Sequence, residues 1–255
     1  MSPKLIRFTT CIRREMERFL RIPIQTLISP WISALLYIIV FGSIIGSRIQ
    51  FFEDISYIDF VLPGILMMNI INAAFIQTSF TIYFHRFTRT IEEILSSPLS
   101  YTQMILGWTI AAVTRAFIVG AGIFFLALFF TRANMDHVFL FFFYVIVVSM
   151  IFALIGQLIG LWAEKFEHLT VLQTFVITPL VYLGGVFNSM EMIPETLRPF
   201  AKLNPFFLMV DGLRYSMISY SESNLLAGGI FLLTLAIGLF VMVFLLFRRG
   251  YKLRK

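Results

Sequence analysis

Residues 174–217 read TFVITPLVYLGGVFNSMEMIPETLRPFAKLNPFFLMVDGLRYSM. The stretch begins as an apolar run carrying Pro179 and the Gly184-Gly185 pair. It turns polar and proline-marked at Glu191, Pro194, Glu195, Arg198 and Pro199, then apolar again from Phe206. Asp211 and Arg214 interrupt the second run, and the next full-length apolar segment starts only near Leu225. A helix crossing a bilayer needs about 20 apolar residues, which the second run does not supply. It reads as a short amphipathic element on the membrane surface, or as one that dips in and returns on the same side. Backbone of this kind is tolerated at membrane depth only where protein or a water-lined cavity shields it. Residues 188–224 are therefore read as an external gate.

Composition sets the class. The 255 residues are 59% hydrophobic and 13% charged, with mean hydropathy +0.88. Soluble domains run to about 45–50% apolar and about 25% charged, so this is an integral membrane protein. A single cysteine, Cys11, excludes an internal disulfide and leaves the redox compartment unread. The formal charge of +6 fits basic flanks of membrane spans better than nucleic-acid binding. No cleavable signal peptide is expected. The first apolar run follows a charged stretch, continues for a full span and lacks a small-residue cleavage site.

Residues 4–21 are mixed. Leu5, Phe8, Ile12, Met16 and Phe19 step by three or four along one helix face, and Arg7, Arg14, Arg18 and Arg21 form another. That pattern is a basic amphipathic helix along the membrane surface, or else the positive flank of the first span. Six apolar runs follow that can cross the membrane, at Pro23–Ile45, Phe60–Phe84, Ile105–Phe130, Val138–Trp162, Leu169–Phe187 and Leu225–Phe247. Pro23 and Pro63 lie near span starts, where a helix accepts proline, whereas Pro179 lies inside the fifth span and predicts a kink. With both termini cytoplasmic, the inner segments hold fourteen of the twenty Lys and Arg. The outer ones hold Arg48, Arg132, Arg198, Lys202 and Arg214, and Arg115 lies within a span. The positive-inside bias therefore places both termini in the cytoplasm. With no internal repeat and no soluble domain, residues 1–255 form one all-α membrane domain.

The sequence holds no GxxxxGK[ST] phosphate loop, no GxSxG and no HExxH, and its three histidines have no partner at metal-ligand spacing. No enzyme constellation is present. In the loop between spans two and three, residues 85–98 read HRFTRTIEEILSSP. Arg89 and Glu93 stand four apart, Ser97-Pro98 stops the helix, and apolar Ile91, Ile94 and Leu95 suit a groove on a partner. A solvated connecting loop explains the same spacing. Arg115 is the one ionisable residue deep in a span, which by default suggests function, although snorkelling or helix packing also accounts for it. Asn69, Asn72, Gln77, Gln157 and Gln173 either line a pathway or make interhelical hydrogen bonds. Small residues at Ser149, Ala153, Gly156 and Gly160, and at Gly42 and Gly46, mark helix contacts. Tyr182, Phe187, Phe206, Phe207 and Tyr215 form either an interfacial aromatic belt or a guide for amphipathic cargo.

The order TPLVYLGGVF, MIP, LNPFFLMVDGLRY resembles the end of the fifth span and the following external element of type-2 ATP-binding-cassette (ABC) transporter permeases. The matching positions are Pro179, Leu183, Gly184, Gly185, Phe187, Pro194, Leu203, Asn204, Pro205 and Arg214. The run RTIEEILSSPLS is similar to that family's coupling helix. The resemblance implies an N-terminal interface helix and a homodimer of six-span subunits in a bacterial inner membrane. It also implies that separate ATPase subunits hold ATP and magnesium, with no cofactor on this chain. It assigns coupling to Arg86, Arg89, Glu92, Glu93, Leu95 and Pro98. It further implies export of an amphipathic, lipid-linked or drug-like substrate; Asn69, Asn72, Arg115 and Gln157, polar or charged within apolar spans, are the candidate pathway residues. The alternatives are a secondary transporter or channel, which the absence of an inverted repeat opposes, and a lipid-modifying membrane enzyme, which needs clustered reactive side chains.

Overall fold

The computed structural model describes residues 3–45, 55–131 and 135–252. Gly46, Arg48, Arg132, Arg254 and Lys255, used above for packing and charge bias, lie outside them. Among the described residues all regular structure is helical. The chain runs through α1 (Pro3–Leu20), then a π-helical turn (Ile24–Ile28), α2 (Ser29–Ile39) and a second π turn (Val40–Ile45). It continues through α3 (Tyr57–Phe87), α4 (Thr90–Ser96), α5 (Tyr101–Ala127) and α6 (Val138–Trp162). After them come α7 (Phe166–Leu172), a π turn (Gln173–Ile177), α8 (Thr178–Leu183), a 3-10 turn (Met190–Met192), α9 (Arg198–Leu203), α10 (Pro205–Ile218) and α11 (Leu225–Arg248).

Six segments are long and apolar enough to cross a membrane: Ile24–Gly42, Tyr57–Phe87, Tyr101–Ala127, Val138–Trp162, Phe166–Leu183 and Leu225–Arg248. They match the six expected spans. The fifth stops short of Phe187 because Gly184 ends the helix and Gly185 takes φ +81°, a left-handed conformation that glycine adopts without steric penalty.

The bundle is built round α3, which is apolar on every side and, from Tyr57 to Tyr83, buried on every side. At about 1.5 Å per residue its 31 residues reach about 46 Å, longer than a hydrocarbon core of about 30 Å. Its closest neighbour is α6, and the small residues foreseen on α6 form that seam. A Cβ on Gly156 would stand 2.7 Å from the Phe75 carbonyl oxygen, and one on Gly160 would stand 2.7 Å from that of Ser79. At this approach the Thr78 hydroxyl donates to the Ala153 carbonyl at 2.8 Å.

Proline shapes the first and fifth spans in one way. Ser29-Pro30 and Thr178-Pro179 each follow a five-residue π turn, where the Ser29 N–H donates to Ile24 O and the Thr178 N–H to Gln173 O. A proline ring collides with the carbonyl four residues back in an α-helix, and the wider turn moves that carbonyl aside. The distortion expected at Pro179 is thus taken up in the turn before it. Pro63 is the seventh residue of α3 and lies inside the helix rather than at its start.

Candidate functional site

The segment read as one helix over residues 85–98 is a corner. Residues 85–87 belong to α3, Arg89 sits at φ +60°, and α4 starts only at Thr90. Arg89 therefore precedes α4 instead of sitting one turn before Glu93 within it, and no ion pair joins the two among the described residues. Ser97 is extended ahead of Pro98, as its position requires. Ser100 and Gln103 then form a capping box that starts α5.

The apolar side of α4 is already occupied by this chain. Ile91 is fully buried, and Ile94 and Leu95 pack on a cluster of Ile82, Met104, Ile105, Trp108, Leu161 and Phe247. What α4 offers to solvent is Glu92, Glu93 and Ser96, with exposed Arg89 before it and Pro98 after it. Arg86 faces inward: its guanidinium donates to the carbonyls of Lys252 (2.8 Å), Gly160 (2.9 Å) and Ala163 (2.8 Å). It thereby fastens α3, the end of α6 and the chain after α11 to one another. On the other flank His85 contacts the Thr90 hydroxyl at 2.9 Å, Arg18 at 3.2 Å and Glu15 at 3.5 Å. The corner is thus held from both sides, and both ends of the described chain gather there.

Glu15 was not singled out in the sequence. It stands three residues after Ile12 and four before Phe19, on the apolar face of α1, and a carboxylate there needs partners. Arg18 at 3.3 Å and His85 supply them. Cys11 on the same helix packs on Gly107, where a Cβ would stand 2.9 Å from its sulfur. Burial and the nearby Glu15 push the Cys11 thiol up to about 11, against a smaller opposing effect of Arg14.

Arg115 lies fourteen residues into α5, about 21 Å along the helix. It is 6% exposed and donates to the Gln77 side chain at 3.1 Å, while its Nε has no acceptor. On insertion scales a central arginine costs about 2.5–3.5 kcal/mol, so one hydrogen bond to a neutral amide does not offset it. The residue lines a cavity of about 560 Å³ that also reaches Arg14, Arg18, Gln25, Ile76, Phe80 and Phe84. The other polar candidates divide. Gln157 is enclosed between α5 and α6, donating to Thr109 at 2.9 Å and Ile105 O at 3.3 Å. Asn69 bonds Ile65 O on its own helix at 2.8 Å. Asn72, half-buried, accepts from Gln173 at 3.3 Å across the second and fifth spans.

Residues 184–224 fold back into the bundle. Val186 approaches α3 so closely that a Cβ on Gly64 would stand 2.6 Å from its carbonyl oxygen. Tyr57 donates to Phe187 O at 2.9 Å. Pro194 is exposed ahead of α9, and Arg198 bonds Ile193 O and Glu191 O. Asn204 caps α10 through Phe206 N–H, donates to Leu180 O at 2.6 Å, and is followed by Pro205 at the first helical position. The helix α10 is enclosed by α3, α6 and α11 instead of lying on a surface. A Cβ on Gly212 would fall inside the Tyr144 ring. Arg214 is 0% exposed. Its guanidinium lies 3.8 Å over Phe60 and donates to Phe60 O (3.2 Å) and Gly185 O (2.5 Å), with Asp211 4.0 Å away. Asp211 accepts from Glu222 N, Ser223 N and the Ser223 hydroxyl, and Glu222 accepts from Met190 N. No three His, Cys, Asp or Glu side chains gather as a metal-ligand group among the described residues.

The ABC-2 type transporter family model matches residues 6–218. The chain is similar to the inner membrane transport permease YadH of Escherichia coli K12, at 33% identity over 241 residues covering 94% of each chain. It is also similar to nodulation protein J of Neorhizobium galegae, at 23% identity over 247 residues, 96% of this chain and 94% of that one. Nodulation protein J of Rhizobium meliloti matches at 23% over 209 residues, 81% of this chain and 79% of its own length.

Proposed function

As the chain belongs to the ABC-2 type transporter family and is a transport permease of it, we propose that it works as a homodimer in a bacterial inner membrane. Both termini lie in the cytoplasm, and ATPase subunits dock on α4. ATP and magnesium are held by those subunits, since this sequence carries no phosphate loop. Nucleotide-driven closure moves α4, tilts α3 with it, and opens a route past residues 184–224 for an amphipathic, lipid-linked or drug-like cargo moving outward. In this reading α1 lies along the inner membrane surface and α10 dips into the outer leaflet.

The α4 corner carries the reading. A seven-residue helix that merely connected two spans would not need three carbonyl bonds from Arg86 on one side and a His85–Glu15–Arg18 group on the other. Its apolar side is fixed to the permease and its acidic side is free, which suits a rigid handle. Affinity purification of the chain from native membranes tests this directly. A nucleotide-binding subunit is expected in stoichiometric amount, with ATP hydrolysis absent from the isolated chain. Hydrolysis that stays with the chain through repurification, in proportion to its amount, sinks the proposal.

A further inference from the structure

We propose that the cavity between α1, α3 and α5 is a binding site for a net-anionic lipid headgroup, one whose phosphate has no compensating cation of its own, with Arg115 at its inner end. This rests on the orientation proposed above, in which α1 lies at the cytoplasmic face. Three observations converge on it. Arg115 is nine-tenths buried, yet its Nε has no acceptor and only Gln77 engages its Nη1. Arg14 reaches the same cavity and makes no hydrogen bond or ion pair among the described residues. No carboxylate lines the cavity. Glu15 stands behind it and neutralises Arg18, which it holds at 3.3 Å with His85. Two positive charges therefore remain without a counter-ion, one shallow and one deep.

The walls fit the rest of a lipid. Phe19, Ile22, Ile76, Phe80 and Phe84 are apolar, and Ile22 and Phe84 are half exposed. A volume of about 560 Å³ falls within the range of small-molecule sites. Phosphate oxygens accept from guanidinium in the charge-assisted, bidentate manner that arginine favours. At this depth the surroundings are apolar, and such a bond is stronger than at an open surface.

The test uses the full chain, purified in mild detergent without nucleotide or ATPase, and native mass spectrometry to count retained lipid. Phosphatidylglycerol is expected to stay bound in preference to phosphatidylcholine. Arg115→Gln should weaken its retention by about ten-fold, the worth of one charge-assisted bond. Arg14→Gln, at an exposed position that leaves the fold intact, should weaken it several-fold. Arg21→Gln, in the turn just after α1 and outside the cavity, should leave it unchanged. Inorganic phosphate added as competitor separates the sources. Displacement of the lipid, or occupancy by phosphate alone, identifies a site that accepts the free anion, while persistence of the lipid identifies one that needs acyl chains as well. Equal retention by wild type, R115Q and R14Q, or no preference over phosphatidylcholine, overturns the proposal. Because the ATPase is absent from the assay, this failure is distinct from failure of the transport reading.

Discussion

Arg214 shows what one side chain does when its partners lie far along the chain. In sequence it interrupts an apolar run in the external element, with no sign of what it pairs with. In the fold it is fully enclosed, and it bonds the Phe60 carbonyl near Pro63 and the Gly185 carbonyl beyond the fifth span. A lysine there keeps the charge but loses the planar fork and the stacking on Phe60. Arg214→Lys is expected to lower stability by about 2 kcal/mol, since a buried acceptor left unpaired costs about 1–3 kcal/mol. The measurement is thermal unfolding of the purified chain in detergent, where the variant should melt several degrees below wild type. An unchanged midpoint would mean that Asp211, with its three donors from Glu222 and Ser223, holds α10 without help. Cys11 supplies the opposite case, a residue made inert by its surroundings. With its thiol pushed up to about 11, very little is thiolate at neutral pH, and thiolate is the reactive form. Maleimide labelling of the native chain at pH 7 should therefore be negligible and should rise as pH approaches 11.

At the scale of elements, hydropathy alone located all six long helices, because a span must satisfy its own backbone in a medium without water and so leaves a long apolar record. The small-residue face of α6 was legible for the same reason: close approach demands missing side chains at fixed spacing. The α4 corner was not. Nothing local in HRFTRTIEEILSSP marks Arg89 as the residue that turns left-handed, and the surface that buries Ile91 comes from α3, α5, α6 and α11. The 3.6-residue period of α4 gave its apolar face correctly and gave no sign of which protein would cover it. That assignment sharpens the prediction for its acidic face. Glu92→Lys with Glu93→Lys changes only exposed side chains, so membrane levels should match wild type. Association with the ATPase subunit should fall at least about ten-fold through like-charge repulsion on a basic docking surface, and transport should fail. The quantity to read is the ATPase recovered per permease on affinity purification. Full recovery together with normal transport would show these acids to be a solvated face only.

Taken as a whole, the molecule has two dissimilar ends. One gathers α1, α4, Lys252 and the end of α6 round Arg86 and His85; the other is folded from residues 184–224. The positive-inside bias predicts which end faces the cytoplasm, and the expected low reactivity of Cys11 makes the direct test simple. Glu195→Cys, at an exposed position ahead of α9, should react with an impermeant thiol reagent in intact cells. Ser96→Cys, exposed on α4, should react only after the membrane is opened. The reverse pattern would invert the topology and with it the docking face. The closure made by Arg214 bears also on the order in which the ribosome delivers the chain. Phe60 is synthesised 154 residues before the arginine that caps its carbonyl, and α3 is inserted well before α10 exists to cover it. Through most of translation the central helix must stand with that flank uncovered by its own chain. The nascent protein becomes a finished bundle only when its last two helices arrive.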